Sequence, residues 1–214
     1  MDKKQKTGEE KMINADVHEN INVNQAEVQI QEYRRIDVNG LNSPESILAY
    51  VKKEKIWEET LSNELLDFLL KHIDAFVQES SFESIEALLM YLATVEPRYS
   101  DGYFIDCTLP VEGIGHPEKL IAFLEKLIGY AQQENRYWEI IETILTYQPV
   151  KNHSIPVASG FEGKRMSEFT SKVLNKLPEA MQKRLKEATF YREDKDTGRM
   201  KCRELLTYKL VSID

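Results

Sequence analysis

The stretch from Leu65 to Val77 constrains this chain most. Leu65, Leu66, Leu69, Leu70, Ile73, Phe76 and Val77 recur three and four residues apart. That spacing lines one stripe of an α-helix and excludes a strand, whose faces alternate every second residue. A stripe this wide must be covered by other apolar faces. The sequence supplies them on both sides.

Ser62 is the expected cap of this first helix. Ser80-Ser81-Phe82-Glu83 then reads as a capping box, with Ile85, Leu88, Leu89 and Leu92 on one face behind it. Pro97 ends that segment. His116-Pro117-Glu118 opens a third helix along Leu120, Ile121, Leu124, Leu127, Ile128 and Ala131. Tyr137, Trp138, Ile141, Ile144 and Leu145 mark a fourth, stopped by Pro149. The last two are joined so closely that they must fold back as an antiparallel pair. Four helices between residues 62 and 147 are therefore expected to form the core.

The flanks read differently. Ile21, Val23, Val28, Ile30, Ile36 and Val38 sit mostly at even spacings, which hints at one or two strands. Ser43-Pro44-Glu45 starts a short helix, with Ser43 as cap and Pro44 in the first turn. After the looser stretch 149–165 come two shorter helices, Ser167–Leu177 and Pro178–Thr189. Phe190-Tyr191-Arg192, a turn over Asp194–Gly198 and the run Met200–Ile213 read as a β-hairpin, with a helix over Lys201–Leu210 as the alternative. The expected fold class is mainly α: an amphipathic helical bundle with a small β element, made of an N-terminal strand and a C-terminal hairpin that could pair. Three segments follow: a polar 1–40, partly disordered or strand, a helical core 41–150 and a helix-helix-hairpin module 151–214.

Charge divides along the same lines. The 214 residues carry a net charge of −8. Residues 55–150 hold 6 basic and 17 acidic side chains, whereas residues 151–214 hold 14 and 9. Opposite signs on two parts of one chain imply two modules, or a tail that docks on the body. An acidic body repels phosphates, so DNA binding is expected only through residues 151–214. Nine Gly, seven Pro and 42% hydrophobic residues exclude collagen-like, linker-like and wholly disordered classes.

No run reaches 18 apolar residues, so no membrane span is expected. The basic start Met1-Asp2-Lys3-Lys4-Gln5-Lys6 is not followed by an apolar run, so no signal peptide is expected. Cys107 and Cys202 form no CxxC pattern and read as reduced thiols, which fits a cytoplasmic protein.

Catalytic patterns are weak. Ala158 to Lys164, within the loop Ser154–Arg165, resembles a degenerate phosphate-binding loop of the form A-x-x-x-x-G-K. Arg165 stands where a Ser or Thr would hold Mg²⁺, and Glu162 places a carboxylate beside the phosphates. Glu139 and Glu142 are three apart beside Trp138 and could act as an acid–base pair only if burial separated their pKa values. His18, His72, His116 and His153 make no metal-binding spacing. No catalytic residue, metal or cofactor is assigned.

Two segments point to partners. Pro97–His116 lacks a helical period and interleaves aromatics with acids. Its Tyr99, Asp101, Tyr103, Phe104, Asp106 and Glu112 would suit a basic protein, the rings as anchors and the acids for steering. A plain hairpin, Tyr99 to Cys107 turning at Asp101-Gly102, is the simpler alternative. The helix, helix and hairpin of residues 167–213 resemble a winged helix. That resemblance implies a recognition helix carrying Lys183, Arg184 and Lys186 and a wing carrying Arg192 and Arg199. The leading expectation is a non-catalytic protein-interaction protein, of inhibitor, antitoxin, immunity or adaptor type, that binds a basic protein. The alternatives are a transcriptional or mobile-element regulator that binds DNA through residues 151–214, and an enzyme with a carboxylate-based site.

Overall fold

A computed structural model gives the architecture. It describes residues 40–53, 59–95, 98–100, 103–105, 109–148, 155–194 and 196–212. For 59–64, 98–100, 103–105, 111 and 112 the backbone alone is described. The strand expected within 21–38, and its pairing with the C-terminal hairpin, lie outside these residues.

The body is helical as its periodicity requires. Helix α1 (Pro44–Lys53) is followed by α2 (Glu59–Glu79), α3 (Phe82–Thr94), α4 (Leu109–Gly115), α5 (Pro117–Ala131) and α6 (Tyr137–Thr146). Leu66, Leu69, Leu88, Leu89, Leu92, Leu124, Leu127, Ile140, Ile141 and Ile144 are all fully buried. Each contributes about 1.5–3 kcal/mol from apolar burial. Along the outer seam of α2 and α5, Lys119 Nζ lies 2.6 Å from Asp67 and Lys126 Nζ 2.5 Å from Asp74. The two pairs are seven residues apart on both helices, so they share one face of each and run in the same order.

Caps explain most of the boundaries. Ser43 Oγ accepts the Ser46 N–H at 3.2 Å, with Pro44 in the first turn of α1. The cap of α3 is Ser81, whose Oγ accepts the Ser84 N–H at 3.2 Å. The expected capping box is thus shifted by one residue, because the Ser80 N–H still donates to Phe76 O and closes α2. Ser62 lies inside α2, which starts at Glu59, and so does not cap it.

The segment after Pro97 is not one long loop. Strands β1 (Arg98–Ser100) and β2 (Tyr103–Ile105) form a hairpin with Ser100 opposite Tyr103, and α4 follows. Pro110, Gly113 and Gly115 hide α4 from any propensity-based reading. Packing holds it instead. A Cβ on Gly113 would come within 2.3 Å of Leu120 Cδ2, so the missing side chain lets α4 press against α5.

Residues 155–212 continue the same core. A 3₁₀ turn (Val157–Ser159) leads into α7 (Gly163–Lys172), a second 3₁₀ turn (Leu174–Lys176), α8 (Glu179–Glu187), β3 (Thr189–Glu193) and β4 (Met200–Glu204). Helix α7 begins four residues before the expected Ser167. Phe161 and Phe169 stack at 4.2 Å between centroids, and Val173, Leu177, Met181, Leu185, Phe190 and Leu205 join the buried cluster. The whole of 38–214 is one compact unit. Strands β3 and β4 pair antiparallel from Thr189–Glu204 to Glu193–Met200. The turn expected at Asp194–Gly198 is present, with Gly198 at φ +62° and Thr197 N–H on Asp194 Oδ1 at 3.0 Å. The chain then folds back along β4, with Val211 N–H on Cys202 O and Arg203 bridged to Leu210. Lys201–Glu204 is therefore strand, not the start of a helix. Among the described residues no helix is long and apolar enough to cross a membrane.

Candidate protein-interaction surface

The acidic excess of the body is not spread evenly. Helices α3 and α6 start at a shared point, where Phe82 meets Tyr137 edge-on at 4.9 Å. Arg136 lies over the Phe82 ring at 3.8 Å and donates to Glu83 at 2.9 Å and to Glu134 at 3.3 Å. Glu86 follows one turn along α3 and Glu139 lies in the first turn of α6, and neither makes an ion pair among the described residues.

Helix α1 borders the other side of α3. Leu48, Ala49 and Ala87 line an open groove of about 450 Å³ between the two helices together with Glu45, Lys52, Glu83 and Ser84. Lys52 Nζ lies over the Tyr91 ring at 5.2 Å. Ser84, then the backbone and Ser43, hydrogen-bond the Glu45 carboxylate and hold its pKa below the ordinary value. Arg136 does the same for Glu83 and Glu134. These acids are therefore firmly ionised at neutral pH. Besides Glu142, which Arg184 holds, α1, α3, α6 and the turn before α6 carry five carboxylates, Glu45, Glu83, Glu86, Glu134 and Glu139, against the three cations Lys52, Lys53 and Arg136.

Sequence reasoning read Ser80 and Glu83 as a capping box and did not find this face. The period told it that α3 has an outer side. It held no signal that α1 would lie beside that side.

Of the contact residues expected after Pro97, Tyr99 and Phe104 are cross-strand partners in the β1–β2 hairpin, and Tyr103 pairs with Ser100. Glu112 lies on α4, away from the hairpin in sequence. Asp101 and Asp106 lie outside the described residues.

The basic module is partly engaged within the fold. Arg184 grips Glu142 of α6 through two bonds of 2.6 and 2.7 Å. Lys176 bonds Glu125 of α5 at 2.8 Å. These two pairs tie the cationic segment to the anionic body. Lys183 lies 3.9 Å from Glu187, and Lys186 is exposed beside it. The outer face of α8 thus offers Lys183 and Lys186 together with Glu179 and Glu187, a balance of charge. Arg192 turns to Tyr208, whose hydroxyl accepts its N–H. Arg199 is exposed at the hairpin turn.

Other chemistry is not assembled. Glu142 is held by Arg184 while Glu139 faces solvent, so no buried carboxylate pair exists there. At the Ala158–Lys164 loop, Val157–Ser159 form a 3₁₀ turn and Gly163 and Lys164 already open α7, and residues 149–154 before it lie outside the described residues. Ser159 is buried and donates to Leu205 O, which removes it as a nucleophile. His72 stacks on Phe68 at 4.4 Å, and burial lowers its pKa. No cluster of His, Cys, Asp or Glu able to hold a metal is found among the described residues. Comparison with protein-family models, curated proteins and solved structures finds no match to this chain in any of the three.

Proposed function

We propose that this chain is a non-catalytic protein-interaction protein, of the inhibitor, antitoxin, immunity or adaptor type, that binds a basic protein partner. The observation that carries the reading is the charge of α1, α3 and the start of α6, five carboxylates against three cations, beside a groove lined by Leu48, Ala49 and Ala87. Such a face attracts a basic surface over a distance, and Leu48, Ala49 and Ala87 then provide apolar contact. Tyr99, Asp101, Tyr103, Phe104, Asp106 and Glu112 are a second proposed contact region. A buried thiol at Cys202 accords with a reducing, cytoplasmic location.

The test is affinity capture from the native host with the full chain and with Glu86→Lys/Glu139→Lys. Glu139 is exposed and Glu86 half-buried, so the melting temperature of the variant is measured beside its capture. Capture of a basic protein by the wild type and its loss in the variant supports the reading. Equal capture by both removes this face, and the same comparison with Tyr103→Ala decides the hairpin.

The order α7, α8, β3, β4 keeps DNA binding as a second reading. The balanced outer face of α8 and the engagement of Arg184 with Glu142 weigh against it. A mobility shift of duplex DNA by the full chain at low salt, weakening as salt rises, would favour it.

A further inference from the structure

We propose that the C-terminal hairpin holds a site for a phosphoryl dianion, as carried by a phosphomonoester, built from Arg192, Arg203 and Tyr208. The register creates it. Phe190 pairs with Arg203 and Arg192 with Lys201, so Arg192 and Arg203 are diagonal neighbours on one face of the sheet, about 7–8 Å apart at Cα.

The returning chain lays Tyr208 over both. Arg203 stacks with its guanidinium carbon 4.5 Å from the ring centroid and donates to Tyr208 O at 3.1 Å. Arg192 lies at the hydroxyl end, 5.9 Å from the centroid, and donates to the hydroxyl oxygen. Tyr208 keeps φ at +60° in this position, a conformation that costs a non-glycine residue energy.

Three features point to an anion. First, neither guanidinium meets a carboxylate among the described residues. Asp194, the nearby acid on this face, is bound by Lys201 at 2.5 Å and by Thr197 at 2.8 Å. Glu204 faces the other way and accepts from Thr207. Second, Arg203 Nε is buried and has no acceptor, the one such side-chain atom among the described residues. A guanidinium partly removed from water without a counter-charge is costly, and a bound anion relieves that cost. Third, the Tyr208 hydroxyl accepts from Arg192, which leaves its own proton to donate outward.

Two guanidinium charges and one hydroxyl donor match a phosphomonoester, which has three oxygens and a charge of about −1.5 to −2 at pH 7. A carboxylate neutralises only one of the two cations. A diester phosphate of DNA likewise carries a single charge.

The experiment is an NMR titration of the full chain, following the Arg Nε–H signals and the hairpin amides. The probes are inorganic phosphate, phosphoserine, acetate and a short DNA duplex, all at matched ionic strength. Saturable shifts of Arg192 and Arg203 with phosphate or phosphoserine, and none with acetate, support the site. Tighter binding of phosphoserine identifies a phosphomonoester ligand, and equal or tighter binding of phosphate identifies the free ion. Tyr208→Phe keeps the ring and removes the hydroxyl proton. It should weaken binding by about tenfold with an unchanged melting curve. Arg203→Lys keeps the charge and loses the fork, so it gives a second reading if the first variant melts early. Linear, unsaturated shifts, equal binding of acetate, a response to the duplex alone, or full affinity in both variants overturns the proposal.

Discussion

Phe169→Ala should unfold the body and the basic module together. The ring is fully buried on α7 and stacks on Phe161 at 4.2 Å, with 8° between the planes. Truncating a buried Phe costs about 3–5 kcal/mol through lost transfer energy and the cavity left behind. Domains of this size hold about 5–15 kcal/mol in total. For 150–250 residues each kcal/mol lowers the melting temperature by about 2–4 °C, so a fall of roughly 6–20 °C is expected. Far-UV circular dichroism follows the helices, and thiol labelling of the peptide carrying buried Cys202 follows the hairpin. Both midpoints should move down together. Phe169→Leu should recover more than half of the loss, since it keeps most of the volume and forfeits the stacking, about 0.5–1.5 kcal/mol. The reasoning fails if Cys202 becomes reactive at a lower temperature while the helical transition stays where it was. The C-terminal residues would then be a separate cooperative unit.

Gly113→Ala should destabilise by about 1–3 kcal/mol despite alanine's better helix propensity. The new methyl would meet Leu120, which is fully buried and must shift to admit it. Adding Leu120→Ala should give less than the summed cost in denaturant melts, and simple additivity would refute the contact. Lys201 and Thr197 hold Asp194 down to about 2, from an ordinary 3.8. A lowered carboxylate pKa adds stability above the unfolded value, and that stability is lost as pH falls through the folded one. The Thr197 and Gly198 amide shifts should therefore change between about pH 4 and pH 2, and Asp194→Asn should abolish that step. Persistence of the step in the variant would assign it to another group.

Helices with a strong stripe could be read directly from the sequence. Leu65 to Val77 and Leu120 to Ala131 carry enough periodic apolar residues that their buried faces follow from spacing alone. The hairpin was also legible, because Asp194 and Gly198 meet the steric and hydrogen-bonding needs of its turn. Helix α4 was not legible. Seven residues with one proline and two glycines carry no usable local preference, and tertiary packing, including buried Leu109 and the close approach of Gly113 to Leu120, holds them helical. Tyr99, Tyr103 and Phe104 read as a short hairpin, and the backbone places them there. The α1–α3–α6 face was hidden for a different reason. Glu45, Glu86 and Glu139 lie on three helices far apart in the chain. The packing of α1 and of α6 against α3 brings these helices together, and no spacing rule encodes it.

On the proposed reading, the acidic face serves association more than stability. The cations of α5, Lys119 and Lys126, are drawn onto Asp67 and Asp74, and Arg136 sits between Glu83 and Glu134. Lys176 and Arg184 of the basic module reach back to Glu125 and Glu142. Exposed pairs of this kind add little, typically 0–1 kcal/mol. Folding alone therefore gives no reason to gather further carboxylates on one face, where like charges repel. Glu86 and Glu139 have no such pairing among the described residues, although a lysine at either place would reduce the repulsion and keep the helix. An excess of one sign raises the on-rate for an oppositely charged partner, and it does so most at low ionic strength. If this is its role, partner capture by the wild type should weaken steeply with added salt, and capture by Glu86→Lys/Glu139→Lys should be weak at every salt concentration.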